Sequence, residues 1–203
     1  MKIVTLALAL VIAALTSSTT FAQNQNRAGG NRLSTDLSGY NEVHFNFNPG
    51  NATTPPSASL RGAVSTNATG TFTARIDDDT QTIQYELSYS NLQGTVTQAH
   101  IHFGQPHTVG GIVVWLCQTT SAMNPSPNSN NPTPTCPQSG TVTGTIGPAD
   151  VLTATGQGLQ AGEFAELVRA LRAGVTYANV HTSPDFGQGE IRGQIGHGPG
   201  NQH

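Results

Sequence analysis

The sequence predicts an all-β fold, an antiparallel β-sandwich or barrel with one short helix. Three observations favour it. Short strand-like segments recur along the chain between turn residues, and 23 Gly and 12 Pro supply those turns. Only one segment has helical periodicity. Charged residues make up 9% of the chain, against about 25% in a typical soluble domain, which disfavours coiled coils and helical bundles.

The strand-like segments have distinct patterns. Residues 82–89 alternate apolar and polar side chains, and with residues 70–76 they predict a hairpin around an Asp-rich turn. Residues 112–117 are apolar throughout, which is typical of a central buried strand, and Trp115 is therefore predicted in the core. The predicted strands are residues 63–64, 70–76, 82–89, 95–103, 112–117, 140–146, 175–181 and 190–195.

One amphipathic helix is predicted at about residues 161–173. Phe164, Leu167, Val168 and Leu171 recur at helical spacing, and Gly174 follows as a stop signal. With about eight short strands and no internal repeat, the helix completes a single domain of ordinary size.

The first 22 residues have the pattern of a secretory signal peptide. A positive Lys2 precedes an apolar run at residues 3–15, which is too short to span a bilayer, and Ala22 offers a small residue for cleavage. Residues 23–34 are predicted to be a disordered leader, 35–196 the folded domain and 197–203 a flexible tail. The sequence thus predicts a secreted, extracellular or periplasmic protein without a membrane span after cleavage.

Cys117 and Cys136 are the only cysteines. In an oxidising compartment they are expected to form a disulfide that closes a Pro-, Asn- and Ser-rich loop, whereas two free thiols are the alternative. The formal net charge is -3 and no basic run is present, which argues against a nucleic-acid partner.

Two histidines occupy alternate positions of a predicted strand. Because residues i and i+2 of a strand share a face, His100 and His102 point the same way, opposite Ala99, Ile101 and Phe103. The apolar set suits the core. The imidazoles are therefore predicted on the outer face of the sheet, where a loop could cover them.

The same alternation extends the histidine face to the last two strands. If these strands neighbour the histidine strand, side chains from both join the face, and three imidazoles could hold Cu or Zn while a carboxylate orients one of them. The alternative is a polar face that is solvated or closed by hydrogen bonds without metal. The candidate metal ligands are His100, His102 and His181, and the candidate polar network is Glu42, His107, Asn179, Glu190 and Arg192.

No recognised catalytic motif is present: the sequence lacks a GxSxG elbow, a P-loop, an HExxH helix and a dinucleotide fingerprint. No catalytic residue is assigned, and the sequence favours a protein that is not an enzyme.

The motifs together resemble the chordin-type CHRD domain. The resemblance covers about residues 33–196 and implies an extracellular all-β domain, found repeatedly in chordin and as a single domain in bacterial exported proteins. This chain lacks the Cys-rich modules that flank the domain in chordin, so growth-factor antagonism is not carried over. The matching motifs are Leu37-Ser-Gly-Tyr-Asn-Glu-Val43, Ala68-Thr-Gly-Thr-Phe72, Leu87-Ser-Tyr-Ser-Asn-Leu92, Ala99-His-Ile-His-Phe-Gly104, Gly111-Ile-Val-Val114, Tyr177-Ala-Asn-Val-His-Thr182 and Gly189-Glu-Ile-Arg-Gly-Gln-Ile195.

The His-x-His strand also resembles the copper-binding strand of copper/zinc superoxide dismutase, another β-sandwich. This resemblance implies a sandwich of the immunoglobulin-like or dismutase-like type, with His100 and His102 as copper ligands and His181 as the candidate third ligand. The dismutase also needs a zinc loop bearing His and Asp, and the segment after Gly104 offers only His107. Dismutase activity is therefore not expected.

Two functions remain open at this point. The leading one is a non-enzymatic binding or structural module whose partner is an extracellular protein or an envelope component. The alternative is a copper-binding, redox-capable protein, with Cu favoured over Zn as the cofactor.

Overall fold

The computed structural model describes residues 31–48, 57–60, 62–119 and 132–197. The predicted signal peptide, most of the leader and most of the tail lie outside these residues and stay predictions. The strands are β1 (Arg32–Ser38), β2 (Phe45–Asn48), β3 (Ser57–Leu60), β4 (Thr69–Asp77), β5 (Thr82–Ser90), β6 (Thr95–Phe103), β7 (Gly111–Gln118), β8 (Gly140–Ile146), β9 (Thr176–Ser183) and β10 (Ile191–His197), and the helix is α1 (Phe164–Arg172).

Eight of these strands form one antiparallel sheet in the order β7-β6-β9-β10-β1-β4-β5-β8, while β2 and β3 form a separate hairpin. The sheet curls until its two ends approach each other: the Tyr85 hydroxyl of β5 donates to the Leu116 carbonyl of β7 at 2.5 Å. The all-β, antiparallel prediction is confirmed. The architecture is a nearly closed, barrel-like sheet, because one continuous hydrogen-bonded order links all eight strands, and the two-sheet sandwich is not borne out.

The disulfide lies where the ends of the sheet approach. Cys117 of β7 is bonded to Cys136, which precedes β8, as the sequence predicts. Beside it, the amide of Gln118 donates to the Pro134 carbonyl at 3.0 Å. The covalent bond and this backbone contact tie the segment before β8 to the edge of β7.

The interior of the curled sheet is a continuous apolar core. The inward side chains of the strands meet the buried face of α1, which includes Phe164, Leu167 and Leu171. The helix prediction is confirmed, although the helix begins three residues later than expected. Within the described residues, no helix is long and apolar enough to cross a bilayer.

Strand β1 was missed by the sequence analysis. It pairs with both β10 and β4 in the middle of the sheet, so residues 32–34 belong to the domain and not to the leader. Only Leu33 and Leu37 are apolar in this strand, four positions apart, which is too sparse for a strand pattern. At the other end β10 continues to His197, which was assigned to the tail. The predicted strand at residues 63–64 is a loop.

Closure of the sheet depends on Tyr85, so we expect Tyr85→Phe to lower the free energy of unfolding by about 1 to 2 kcal/mol. The ring lies over Gly144 of β8, where a Cβ atom would overlap it, and its hydroxyl holds the Leu116 carbonyl. Urea denaturation checks this, with Tyr40→Phe as the control because Tyr40 is 74% exposed. Equal stability of the two variants would contradict the role of Tyr85.

Candidate metal centre

Three imidazoles converge on the outer side of the sheet. His100 and His102 of β6 and His181 of β9 offer one nitrogen each, and these nitrogens lie within 4.8 Å of one another. The neighbouring Ala99 and Ile101 point into the core, as the alternation predicts. The predicted grouping of the three histidines on one face is therefore confirmed.

The histidine face is buried because connecting segments cover it. His102 donates from Nδ1 to the Gly110 carbonyl in the loop before β7, at 3.0 Å. His181 donates from Nδ1 to the Gly187 carbonyl in the loop before β10, also at 3.0 Å. The exposed fractions of His100, His102 and His181 are 0, 7 and 6%. The face of the sheet opposite the apolar core is thus also buried at the three histidines.

These two backbone contacts fix the tautomers of His102 and His181. With hydrogen on Nδ1, each ring presents an unprotonated Nε2. Nε2 of His102 and Nε2 of His100 are buried and have no hydrogen-bond partner among the described residues. A buried polar atom without a partner costs about 1 to 3 kcal/mol. A histidine oriented through its other nitrogen is the usual arrangement of a metal ligand.

The spacing of the nitrogens also fits a metal ion. His100 Nδ1 donates a hydrogen bond to His181 Nε2 at 3.2 Å, and an ion bound between these two atoms would replace that hydrogen, which would move to Nε2 of His100. Two nitrogens bound about 2.0 to 2.1 Å from one ion at tetrahedral angles lie about 3.3 to 3.4 Å apart. The two rings can therefore share an ion with little movement.

Burial keeps the three imidazoles neutral. It is the main cause that lowers the pKa of His102 to about 4, and the neighbouring His181 contributes to the lowering. Burial is also the main cause that lowers the pKa of His100 and of His181. Only neutral imidazole binds a metal, so the three side chains are in the form that binds a metal near pH 7.

A stack of three side chains supports His102. The Tyr177 ring of β9 lies parallel to the His102 ring, with centroids 4.7 Å apart. The Arg192 guanidinium of β10 lies 3.3 Å from the same tyrosine centroid. Because β6 and β10 flank β9, the tyrosine lies between the other two. Arg192 also donates to the Thr108 carbonyl at 2.7 Å, which holds the covering loop in place.

Trp115 lies on the histidine side of the sheet, not in the core as predicted. Its ring meets His100 edge to face, with centroids 4.2 Å apart, and it is only partly buried. Two register shifts between β6 and β7 insert Val113 and Leu116 as extra residues. Each bulge reverses the alternation of side chains and so turns Trp115 to the outer face.

Two residues of the predicted polar network lie away from the histidines. Glu190 is fully buried, and its carboxylate accepts hydrogen bonds from Thr66, Thr182 and the Gln93 amide at 2.7 to 2.8 Å. It precedes the first paired residue of β10, so the strand alternation does not extend to it. His107 is exposed in the covering loop and is not part of the cluster.

The other network residues are next to the site. Asn179 Oδ1 is 2.9 Å from His181 Nε2. Glu42 is buried, its Oε1 accepts from the Val43 amide at 3.2 Å, and its Oε2 has no partner among the described residues. Burial raises the pKa of Glu42 to about 7. The carbonyls that orient the histidines were missed, because backbone groups leave no side-chain signal in a sequence.

The comparisons with known proteins agree with this architecture. A family model described as the CHRD domain matches residues 33–195, which include the three histidines and all or most of each strand of the main sheet. No curated protein and no solved structure matches the chain. On the strength of the family match over most of its length, the chain belongs to the CHRD domain family.

Proposed function

We propose that this CHRD domain is a copper-binding module, with one ion held by His100, His102 and His181. The observation that carries the proposal is the convergence of three neutral imidazoles, two of them oriented through Nδ1 by backbone carbonyls. Imidazoles arranged in this way are already oriented for metal binding, so binding costs little further conformational entropy. Copper would supply one-electron redox chemistry, and the chain would bind it and shield it from water.

Copper is favoured over zinc on the chemistry of the ligands. Neutral imidazole suits both ions, but among divalent first-row metals Cu²⁺ binds a given nitrogen site most tightly. No thiolate competes, because both cysteines are in the disulfide. The disulfide and the CHRD family are compatible with an extracellular location, where copper is available in its oxidised state.

The leading expectation from the sequence, a binding or structural module without metal, requires the histidine face to be closed by internal hydrogen bonds. The unpartnered nitrogens of His100 and His102 count against such a closed face. An extracellular protein or envelope component as partner is compatible with either function and stays a prediction.

The only tryptophan of the chain provides a direct test. Because the Trp115 ring touches the His100 ring, we expect Cu(II) to quench the tryptophan fluorescence with an endpoint at one equivalent. Zn(II), which has a filled d shell, should quench little of the tryptophan emission. The loaded protein should give a Cu(II) electron paramagnetic resonance signal with splittings from nitrogen ligands.

The unfolded protein serves as the control for the titration. Unfolding separates the three histidines, so the fluorescence titration should no longer show an endpoint at one equivalent of Cu(II). The protein can be incubated with Cu(II) and then passed through a gel-filtration column. If it carries no copper after the column and its fluorescence is unchanged, the proposal is refuted. That result would leave the metal-free binding or structural module as the function to pursue.

A further inference from the structure

The contact between Asn179 Oδ1 and His181 Nε2 is not a normal hydrogen bond, because neither atom carries a hydrogen to donate. Nε2 of His181 can only accept, because its Nδ1 hydrogen is directed at the Gly187 carbonyl. The amide oxygen Oδ1 of Asn179 can also only accept, yet the two atoms are 2.9 Å apart. Two acceptors repel each other at this distance, and a cation that lies beside both removes the repulsion.

The other end of the same amide explains its orientation. The Nδ2 group of Asn179 and Oε2 of Glu42 both approach the one point where residue 189 would carry a Cβ atom. Gly189, with φ of 121°, leaves this space open. The NH₂ group therefore faces the Glu42 carboxyl group, and the oxygen faces the histidines. A half-turn of the amide would set two oxygens against each other wherever Glu42 is ionised.

We propose that Asn179 Oδ1 is a fourth ligand of the metal and that Glu42 is its positioning residue. This inference rests on the proposed copper site and assigns its oxygen ligand. The centre then has three imidazole nitrogens and one amide oxygen.

The distances agree with this coordination. For bonds of about 2.0 to 2.1 Å, the 2.9 Å between Oδ1 and His181 Nε2 corresponds to an angle of about 90° at the ion. The 3.2 Å between His100 Nδ1 and His181 Nε2 corresponds to about 100°. Both angles are normal for a four-coordinate divalent ion. Because an amide oxygen is a hard ligand, the set selects Cu(II) over the softer Cu(I).

The charges around the amide are consistent with a bound dication. Glu42 faces the Asn179 amide, the Val43 amide, and the Arg192 and Tyr177 side chains. The Glu42 carboxyl group lies on the side of the amide that faces away from His181. The carboxylate in turn polarises the amide, which makes Oδ1 a stronger ligand.

The test uses Cu(II) with the full-length protein and two replacements of similar size. Asn179→Leu removes the oxygen, and we expect it to weaken Cu(II) binding by about 100-fold or more, whereas Asn179→Asp keeps an oxygen toward the histidines and should bind Cu(II) more tightly than Asn179→Leu, although its second oxygen faces Glu42. The paramagnetic resonance spectrum of Asn179→Leu should keep three nitrogen splittings but change its g and copper hyperfine values. Asn41→Leu, on the exposed turn next to Glu42, is the matched control and should change neither property.

Glu42→Gln separates positioning from ligation. It should weaken Cu(II) binding by about 10-fold and leave the set of ligand atoms seen in the spectrum unchanged. Wild-type affinity and an unaltered spectrum in Asn179→Leu would overturn the inference while leaving a three-histidine site intact. Wild-type protein that binds no copper would instead overturn the proposed function. Asn179→Asp keeps the shape of the side chain, so the ligand question remains testable if the leucine variant does not fold.

Discussion

Replacing His102 with alanine is expected to weaken Cu(II) binding by about 70- to 1,000-fold. Structural zinc sites bind with about 10 to 16 kcal/mol, so each of four ligands contributes about 2.5 to 4 kcal/mol. His102 is expected at the strong end of this range, because its Nδ1 bond to Gly110 and its stack on Tyr177 have already fixed the ring. A preformed ligand gives up little conformational entropy on binding.

Competition with a chelator of known copper affinity measures this loss, and the nitrogen splittings should fall from three to two. His107→Ala is the matched control, because it also removes one imidazole from the chain but at an exposed position outside the cluster. A nonspecific surface effect would weaken both variants alike. Equal affinities of His102→Ala and the wild type would remove His102 from the site.

The grouping of the histidines could be predicted because it depends only on local geometry. The alternation of side chains in a strand places His100 and His102 together, and the same rule applied to β9 adds His181. What the rule could not give is the burial of that face. The carbonyls of Gly110 and Gly187 come from irregular loops, whose paths depend on contacts made across the whole fold.

The errors of the sequence analysis have identifiable physical causes. Trp115 was assigned to the core because its strand is apolar throughout, but bulges in β7 turn it to the outer face. Glu190 was assigned by extending strict alternation, and it lies just before the paired part of β10. Strand β1 was missed for a different reason. Its place in the middle of the sheet comes from pairing with its two partner strands and not from its own sparse apolar residues. Bulges and long-range pairing also decide between a curled sheet and a sandwich.

The histidine site has a consequence for stability that does not require metal. A buried imidazole kept neutral in the folded state takes up a proton readily once the chain unfolds. For His102 the pKa is about 4 when folded, against about 6.5 when unfolded. This group stabilises the fold fully above pH 6.5, and its contribution is lost as the pH falls through about 4. The difference corresponds to about 3 kcal/mol.

We therefore expect the metal-free protein to lose unfolding free energy between pH 6.5 and 4. His100 and His181 act in the same direction, because burial lowers their pKa as well. Glu42 acts in the opposite direction: its pKa is about 7 when folded and 4.5 when unfolded, so its contribution increases as the pH falls through that interval. Because the pKa shifts of His102 and Glu42 are of similar size and act in opposite directions, the net loss of stability comes from His100 and His181.

Urea denaturation of metal-free protein at a series of pH values measures the net effect, and two variants separate the opposing contributions. His102→Gln keeps a neutral polar side chain and should make the acid loss shallower, because one proton-binding group is removed from the unfolded chain. Glu42→Gln should make it steeper, because the compensating carboxyl group is gone. A wild-type stability that stays constant between pH 6.5 and 4 would mean that the imidazoles are hydrated in solution, and a hydrated cluster would not be the dry, preoriented site on which tight copper binding depends.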